Sequence, residues 1–334
     1  MIITVTLNPV LDRTYLVPRL EFDDVLRSVP ARLDWGGKGF NVSRALKSLG
    51  TSSLAMGFLG GATGEKIASG LLNLGIDTDF TSIQEETRTN IVILEQTDGA
   101  LQGPTGHHLK VNEPGPTITT SELDRFLGQV ETHLAAGCSQ PGREFTRQTW
   151  IFSGSLPPGV PPDIYASLIH RVQSACKPDF HARAVLDTSG EALRLGLLAR
   201  PYLVKPNRQE AESITGFSLN TRRDLDRAGA IFMDMGVQIV AISLGAEGLY
   251  CCWDRSLLQS RQNTVLVPAE PIQGGNPTGA GDALLAGLVY ALENDLALPE
   301  AVRFAVACGT AAAQGPGVEL PAGILSSWTG TKPA

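Results

Sequence analysis

The 334-residue chain is predicted to fold as an α/β protein, with a mostly parallel sheet covered on both faces by helices. Three observations lead there. Short strand-patterned runs alternate with helix-patterned runs along most of the chain, glycine-rich junctions recur between them, and 43% hydrophobic residues suffice for a large core.

The alternation begins with "IITVTL" (2–7) as a strand and "NVSRALKSLG" (41–50) as a helix. It continues with "SSLAMGFLG" (52–60), "GEKIASGLLNLG" (64–75), "WIFSGS" (150–155), "PDIYASLIHRVQSAC" (162–176), "AVLDTSG" (184–190) and "QIVAISLG" (238–245). Thr119 with Glu122 and Thr221 with Asp224 have the spacing of capping boxes, and Gly50 and Gly75 stand where helices should stop. Residues 11–35 and 88–112 break the rhythm. They read as strands joined by turns and are expected to form a small sheet projecting from a single domain spanning 1–334. The polar stretch 137–148 reads as a surface loop.

Composition narrows the partners. A formal net charge of −7 without a basic tract disfavours nucleic acid and anionic membrane, so any anionic ligand must be met by locally placed cations. Apolar runs reach only about ten residues, short of the roughly twenty that span a bilayer. The opening "MIITVTLNPVLDR" reads as a strand without a basic leader region. Cys138, Cys176, Cys251, Cys252 and Cys308 show no zinc-ligand spacing, which points to buried thiols and a cytoplasmic location.

The chemistry is concentrated at one junction. In "NPTGAGDALLAGL" (276–288), Gly279, Ala280 and Gly281 lead into an apolar helix and Asp282 falls in its first turn. First-turn amides have no intrahelical partner and the helix dipole is positive there, so the turn can cradle a phosphate beside a carboxylate able to take a proton. The bland alternative is that Asp282 only stabilises the dipole. "KPNRQE" (205–210) has two readings of the same kind. Asn207 and Glu210 suit an ordinary helix cap, and they also suit a hydrated magnesium ion, which prefers oxygen ligands. "GGKGFN" (36–41) lacks the dinucleotide fingerprint, and the chain contains no P-loop.

Taken in order, "TLNPVLD" (6–12), "GGKGFNVSRAL" (36–46), "TRTN" (87–90), "SGSLPPG" (153–159), "DTSGEAL" (187–193), "KPNRQE", "SLGAEG" (243–248) and "NPTGAGDALLAGL" resemble the motifs of the PfkB, ribokinase-like carbohydrate kinases over nearly the whole chain. The first two look most like the branch that phosphorylates fructose 1-phosphate and tagatose 6-phosphate. The resemblance implies a ribokinase-like fold with a β-sheet lid and phosphoryl transfer from ATP, with Mg²⁺ as cofactor. Asp282 is then the base, and the amides of Gly279, Ala280, Gly281 and Asp282 form the anion hole. It further implies sugar contacts from Asp12, Gly36, Gly37 and Asn41, and acceptor-phosphate contacts from Lys38 and Arg88, with Arg27 as a further candidate. Lys205, Asn207, Ser243 and Gly245 line the nucleotide, and Asn207 with Glu210 holds the metal through water.

The lid is expected to bear Leu16, Val17, Ile91 and Ile93 on an apolar face that pairs two copies as a homodimer. His107 and His108 are expected on the lid facing solvent. Val25 stands near a position where 6-phosphofructokinase members often carry lysine, which disfavours fructose 6-phosphate. Fructose 1-phosphate is the expected acceptor, ahead of tagatose 6-phosphate or fructose 6-phosphate. A regulator that binds sugar phosphate without turnover is the alternative of another class.

Overall fold

The computed structural model describes residues 1–95, 107–138, 146–178, 180–257, 263–272, 278–315 and 317–328. Its first half runs β1 (Ile2–Thr6), β2 (Val10–Val17), β3 (Val29–Gly36), α1 (Lys38–Ser48), β4 (Ser53–Gly60), α2 (Gly61–Asn73), β5 (Asp77–Ile83), β6 (Thr89–Glu95) and β7 (His108–Val111). Then come α3 (Thr120–Cys138), β8 (Thr146–Ser153), α4 (Ile164–Ser174), β9 (Phe180–Asp187), α5 (Gly190–Leu198), β10 (Leu203–Val204), α6 (Arg208–Thr215), α7 (Arg222–Asp234) and β11 (Ile239–Ser243). The chain closes with β12 (Leu249–Trp253), β13 (Thr264–Val267), α8 (Ala280–Glu293), α9 (Leu298–Gln314) and α10 (Ile324–Ser327).

Nine strands form the main sheet in the order β13-β12-β11-β10-β9-β8-β1-β4-β5. From β11 to β5 every pairing is parallel, and only β12 and β13 run antiparallel at one edge. β1 sits inside the sheet with all of its residues buried, which is why "IITVT" can dispense with a polar face. On one side Ile2, Val42, Leu46, Ile151 and Leu285 join a core built with α1, α8 and α9. On the other, Ile3, Val5, Phe126, Trp150, Leu168 and Phe232 pack beneath α3, α4 and α7. The predicted helix signals are realised. Thr119 and Glu122 exchange backbone-to-side-chain bonds ahead of α3, Thr221 and Asp224 form a capping box on α7, and Gly50 and Gly75 follow α1 and α2 in left-handed conformation.

The two segments that break the alternation pair as a separate four-stranded sheet, β3-β2-β6-β7. Its register places Asp12 beside Asp34 and Asn90, and Arg13 beside Leu33 and Ile91, so the sheet has one polar face and one largely apolar face. The expected apolar set needs correction. Leu16 and Val17 are successive residues of a strand and point to opposite faces, and Val17 is buried. Ile91 and Ile93 are half-buried, while Val29, Leu33, Leu109 and Val111 carry the exposed apolar surface. His107 and His108 are exposed at the start of β7, as expected. Of the 137–148 stretch, residues 139–145 lie outside the described residues. Among the thiols, Cys251, Cys252 and Cys308 are buried, but Cys176 is exposed because it follows the C-terminus of α4 at the surface.

Candidate active site

The site lies at the carboxyl ends of the parallel strands, where α1, α6 and α8 begin. Gly279 is the N-cap of α8, at φ +81°, and a Cβ there would lie 2.1 Å from Val318 Cγ1. Glycine is therefore required both by backbone conformation and by space. Asp282 follows as the third helical residue and is buried.

Asp282 is held from the neighbouring helix. Asn41 Nδ2 of α1 donates to its Oδ2 at 2.8 Å, Arg44 Nη1 donates to Asn41 Oδ1 at 3.4 Å, and Arg44 Nε donates to Glu319 Oε1 at 2.9 Å. Burial, reinforced by the nearby charge of Asp187, pushes the Asp282 carboxyl up to about 6. A carboxylate of that basicity is ionised at neutral pH and well matched to accept a proton. Two expectations change in detail. The Asp282 amide donates to Gly279 O at 3.0 Å, so the anion-hole candidates reduce to the amides of Gly279, Ala280 and Gly281. Asn41 gives one amide hydrogen to Asp282 and accepts from Arg44, so it orients Asp282 and keeps a single amide hydrogen for a sugar hydroxyl.

Next to this turn sits a cluster that sequence reasoning missed. Asp187, at the end of β9, is fully buried, and its Oδ1 accepts from Lys38 Nζ at 3.1 Å and Lys205 Nζ at 3.2 Å. Burial favours its neutral form, but the two lysines outweigh that and hold its carboxyl below the usual aspartate range. Burial likewise opposes the Lys38 charge, yet Asp187, Asp282 and Glu210 together hold its ammonium above the usual lysine range. A Cβ on Gly281 would lie 3.6 Å from Lys205 Nζ, which places that ammonium against the first turn of α8. The available signal was the position of Asp187 at the head of "DTSGEAL", directly after a strand-patterned run.

On the lid side, Asp12 Oδ1 accepts from Asn90 Nδ2 at 3.0 Å. A Cβ on Gly36 would fall 2.2 Å from Asp12 Oδ2, so the glycine lets the carboxylate pass. Burial raises the pKa of Asp12 above its ordinary value. Asn90 was also missed; its Oδ1 is buried without a partner among the described residues, beside the carboxylate expected to bind sugar. Gly37 caps α1 at φ 126°. Arg88 reaches this region but donates to the carbonyls of Asn8 at 2.9 Å and Glu113 at 3.0 Å, so it braces the lid base and is not aimed freely at a phosphate. Arg27 is exposed between β2 and β3.

On the nucleotide side, Asn207 and Glu210 form a complete capping box on α6, with Glu210 N donating to Asn207 Oδ1 at 2.9 Å and Asn207 N to Glu210 Oε2 at 2.8 Å. The cap does not consume the site. The Glu210 charge is still near enough to help hold the Lys38 ammonium above its usual range. Ser243 ends β11, bridged to Asn207, and Gly245 follows at φ +61°. Residues 273–277, next to the α8 turn, lie outside the described residues. Surface hollows of about 790 and 930 Å³, along α4 and along β5 with α3, contain none of the site residues.

Comparison with known proteins decides the family. Residues 5–102 and 145–323 match the pfkB family carbohydrate kinases. The chain belongs to this family. It is 31% identical over 314 residues to a 1-phosphofructokinase of Borreliella burgdorferi, covering 94% of this chain and 92% of that protein. It is 32% identical over 313 residues to a 1-phosphofructokinase of Bacillus subtilis, with the same shares of 94% and 92%. Among solved structures, phosphofructokinase-2 of Escherichia coli in complex with substrates and products superimposes with a TM-score of 0.83 at 28% identity, covering 97% of both chains. The tetrameric inhibited form of that enzyme gives 0.79 at 29% identity over 93% of each. The large, mostly parallel sheet with a separate four-stranded sheet in this PfkB chain is thus a ribokinase-like sugar-kinase fold. Among its described residues, no helix is long and apolar enough to cross a membrane, and no group of three or more His, Cys, Asp or Glu side chains is placed to hold a metal ion.

Proposed function

We propose that the chain is an ATP-dependent sugar-phosphate kinase that converts fructose 1-phosphate to fructose 1,6-bisphosphate. The observation that carries the chemistry is Asp282, buried at a helix N-terminus, pushed up to about 6 and held by Asn41. The 6-hydroxyl of the sugar gives its proton to the Asp282 carboxylate while its oxygen bonds to the γ-phosphorus, and the bond from that phosphorus to the β,γ-bridging oxygen breaks to release ADP. The amides of Gly279, Ala280 and Gly281, with Lys38 and Lys205, lie where charge on the transferred group would be stabilised. Asp12 and Asn90 orient the sugar. The 1-phosphofructokinase relatives support fructose 1-phosphate as acceptor.

Magnesium fits the nucleotide side. It keeps most of its waters and needs few carboxylates, and Glu210 offers one beside Asn207. When bound there, it would neutralise phosphate charge.

The lid, in this reading, closes over the sugar and pairs two copies of a single-domain chain through Leu33, Leu109 and Val111. Light scattering should give twice the chain mass, and Leu109→Asp with Val111→Asp should return it to one. A cytoplasmic enzyme is consistent with the free thiols of Cys176, Cys251, Cys252 and Cys308.

The deciding experiment is ADP release from MgATP across fructose 1-phosphate, fructose 6-phosphate, tagatose 6-phosphate, fructose, ribose and adenosine. The highest kcat/KM is expected for fructose 1-phosphate. Fructose 6-phosphate is the runner-up because a structural neighbour binds it, although the exposed Val25 offers no cation. Binding without turnover across the panel would favour the regulator.

A further inference from the structure

Beneath the α8 turn, two ammoniums share one carboxylate oxygen. Lys38 arrives from α1 and Lys205 from the end of β10, and both meet Asp187 Oδ1 at 3.1 and 3.2 Å. The other oxygen, Oδ2, is buried and has no hydrogen-bond partner among the described residues. Tyr165 of α4, whose charge state also feels Asp187, spends its hydroxyl on Gly154 O at 3.1 Å instead. Among the described residues, the Asp187 charge is therefore answered by the lysines alone. A phosphate drawing those ammoniums toward α8 takes them from a carboxylate that has nothing to replace them, and an unpaired buried charge is costly.

We propose that Asp187 is a positioning residue that competes with bound phosphate for Lys38 and Lys205, keeping both ammoniums together below the α8 N-terminus and limiting how tightly the site grips phosphate before transfer. Geometry gives it this role. Lys38 has a side chain 37% exposed and Lys205 one only 5% exposed, so the pair presents one open and one enclosed cation tied to a single anchor. Strong grip on the ground state would lower KM without raising kcat, so an internal competitor favours turnover and release. The purpose assigned to the lysines rests on the phosphoryl-transfer reading above, but the first test needs no turnover.

The full chain and Asp187→Asn are titrated with inorganic phosphate, without nucleotide, by calorimetry and thermal shift. Removing a charge that lies about 3 Å from both ammoniums should tighten phosphate binding on the order of tenfold, allowing for a screened, partly polar surrounding. With MgATP and fructose 1-phosphate, kcat and KM should both fall in the variant, a split that a merely loosened fold does not produce. A folded Asp187→Asn with equal or weaker phosphate affinity overturns the proposal. Should that variant fail to fold, Lys38→Gln decides. It leaves Asp187 one ammonium and should weaken phosphate binding about tenfold, and unchanged affinity overturns the proposal equally. Wild-type protein that binds phosphate but turns over no sugar would remove the kinase reading while leaving the competition intact.

Discussion

Glu210 and Asp282 occupy the same place in their own helices, the third residue of the first turn, yet they have different surroundings. Glu210 folds back onto the Asn207 amide at 2.8 Å and caps α6 from a half-exposed position. Asp282 has no side chain at its N-cap to trade with, because that residue is Gly279, and it turns inward to Asn41 at 2.8 Å. Burial beside Asp187 then pushes it up to about 6. A carboxylate in a helix's first turn thus either caps the helix or is held buried as a more basic group, according to what lies behind it.

The sharpest way to break this contrast is Asp282→Asn. Turnover should fall by a barrier on the order of 3 to 5 kcal/mol, read as kcat, with folding retained. Asn41, Lys38, Lys205 and Asp187 face Asp282 from α1, β10 and β9, and the net raised pKa predicts that kcat rises as pH passes about 6. The stability sign is opposite. The folded protein holds the Asp282 proton more tightly than the unfolded chain, whose value is 3.8. That stabilisation is complete below the unfolded value and is lost as pH rises through about 6. At pH near 8, Asp282→Asn should therefore be more stable than wild type, by on the order of 1–3 kcal/mol in urea unfolding. A less stable, fully active variant would make Asp282 an ordinary dipole partner.

Gly279→Ala comes next. The left-handed backbone and the 2.1 Å approach to Val318 Cγ1 should cost about 2 kcal/mol or more of stability and distort the anion turn. Unchanged Tm and turnover would show that the turn tolerates a side chain. Glu210→Gln separates the two duties of that residue, since glutamine also serves a capping box. Stability should hold within about 0.5 kcal/mol while the Mg²⁺ concentration for half-maximal rate rises roughly tenfold. An unchanged Mg²⁺ requirement would leave Glu210 as a cap only. The smallest effect is expected at Thr221, which closes an equivalent box on α7. Thr221→Ala should lose about 1 kcal/mol of stability and none of the activity.

Much of the architecture was legible before any coordinates. Alternating strand and helix patterns, the boxes at Thr119 and Thr221, the stops at Gly50 and Gly75, and the helix-poor lid segments all express short-range rules of period, capping and turn chemistry. The turn before α8 was legible for the same reason, because a glycine run leading into a helix is a local signal. The apolar face of the lid was misread at Leu16 and Val17 against the period-2 rule itself, since neighbours in a strand point to opposite faces, and only the pairing decided which face is covered.

The acid-base character of the site was not legible either. Asp12 with Asn90, Lys38 and Lys205 on Asp187, and Arg44 behind Asn41 join residues from 3 to 149 positions apart. Local spacing was enough to mark which carboxylates stand at helix starts and which glycines open a turn. Which carboxylate is buried and made more basic, which lysines share a counter-ion and which arginine is tied to carbonyls depended on burial and on partners from other elements. Desolvation and Coulomb interactions act through space, and strand order alone brings those partners within reach.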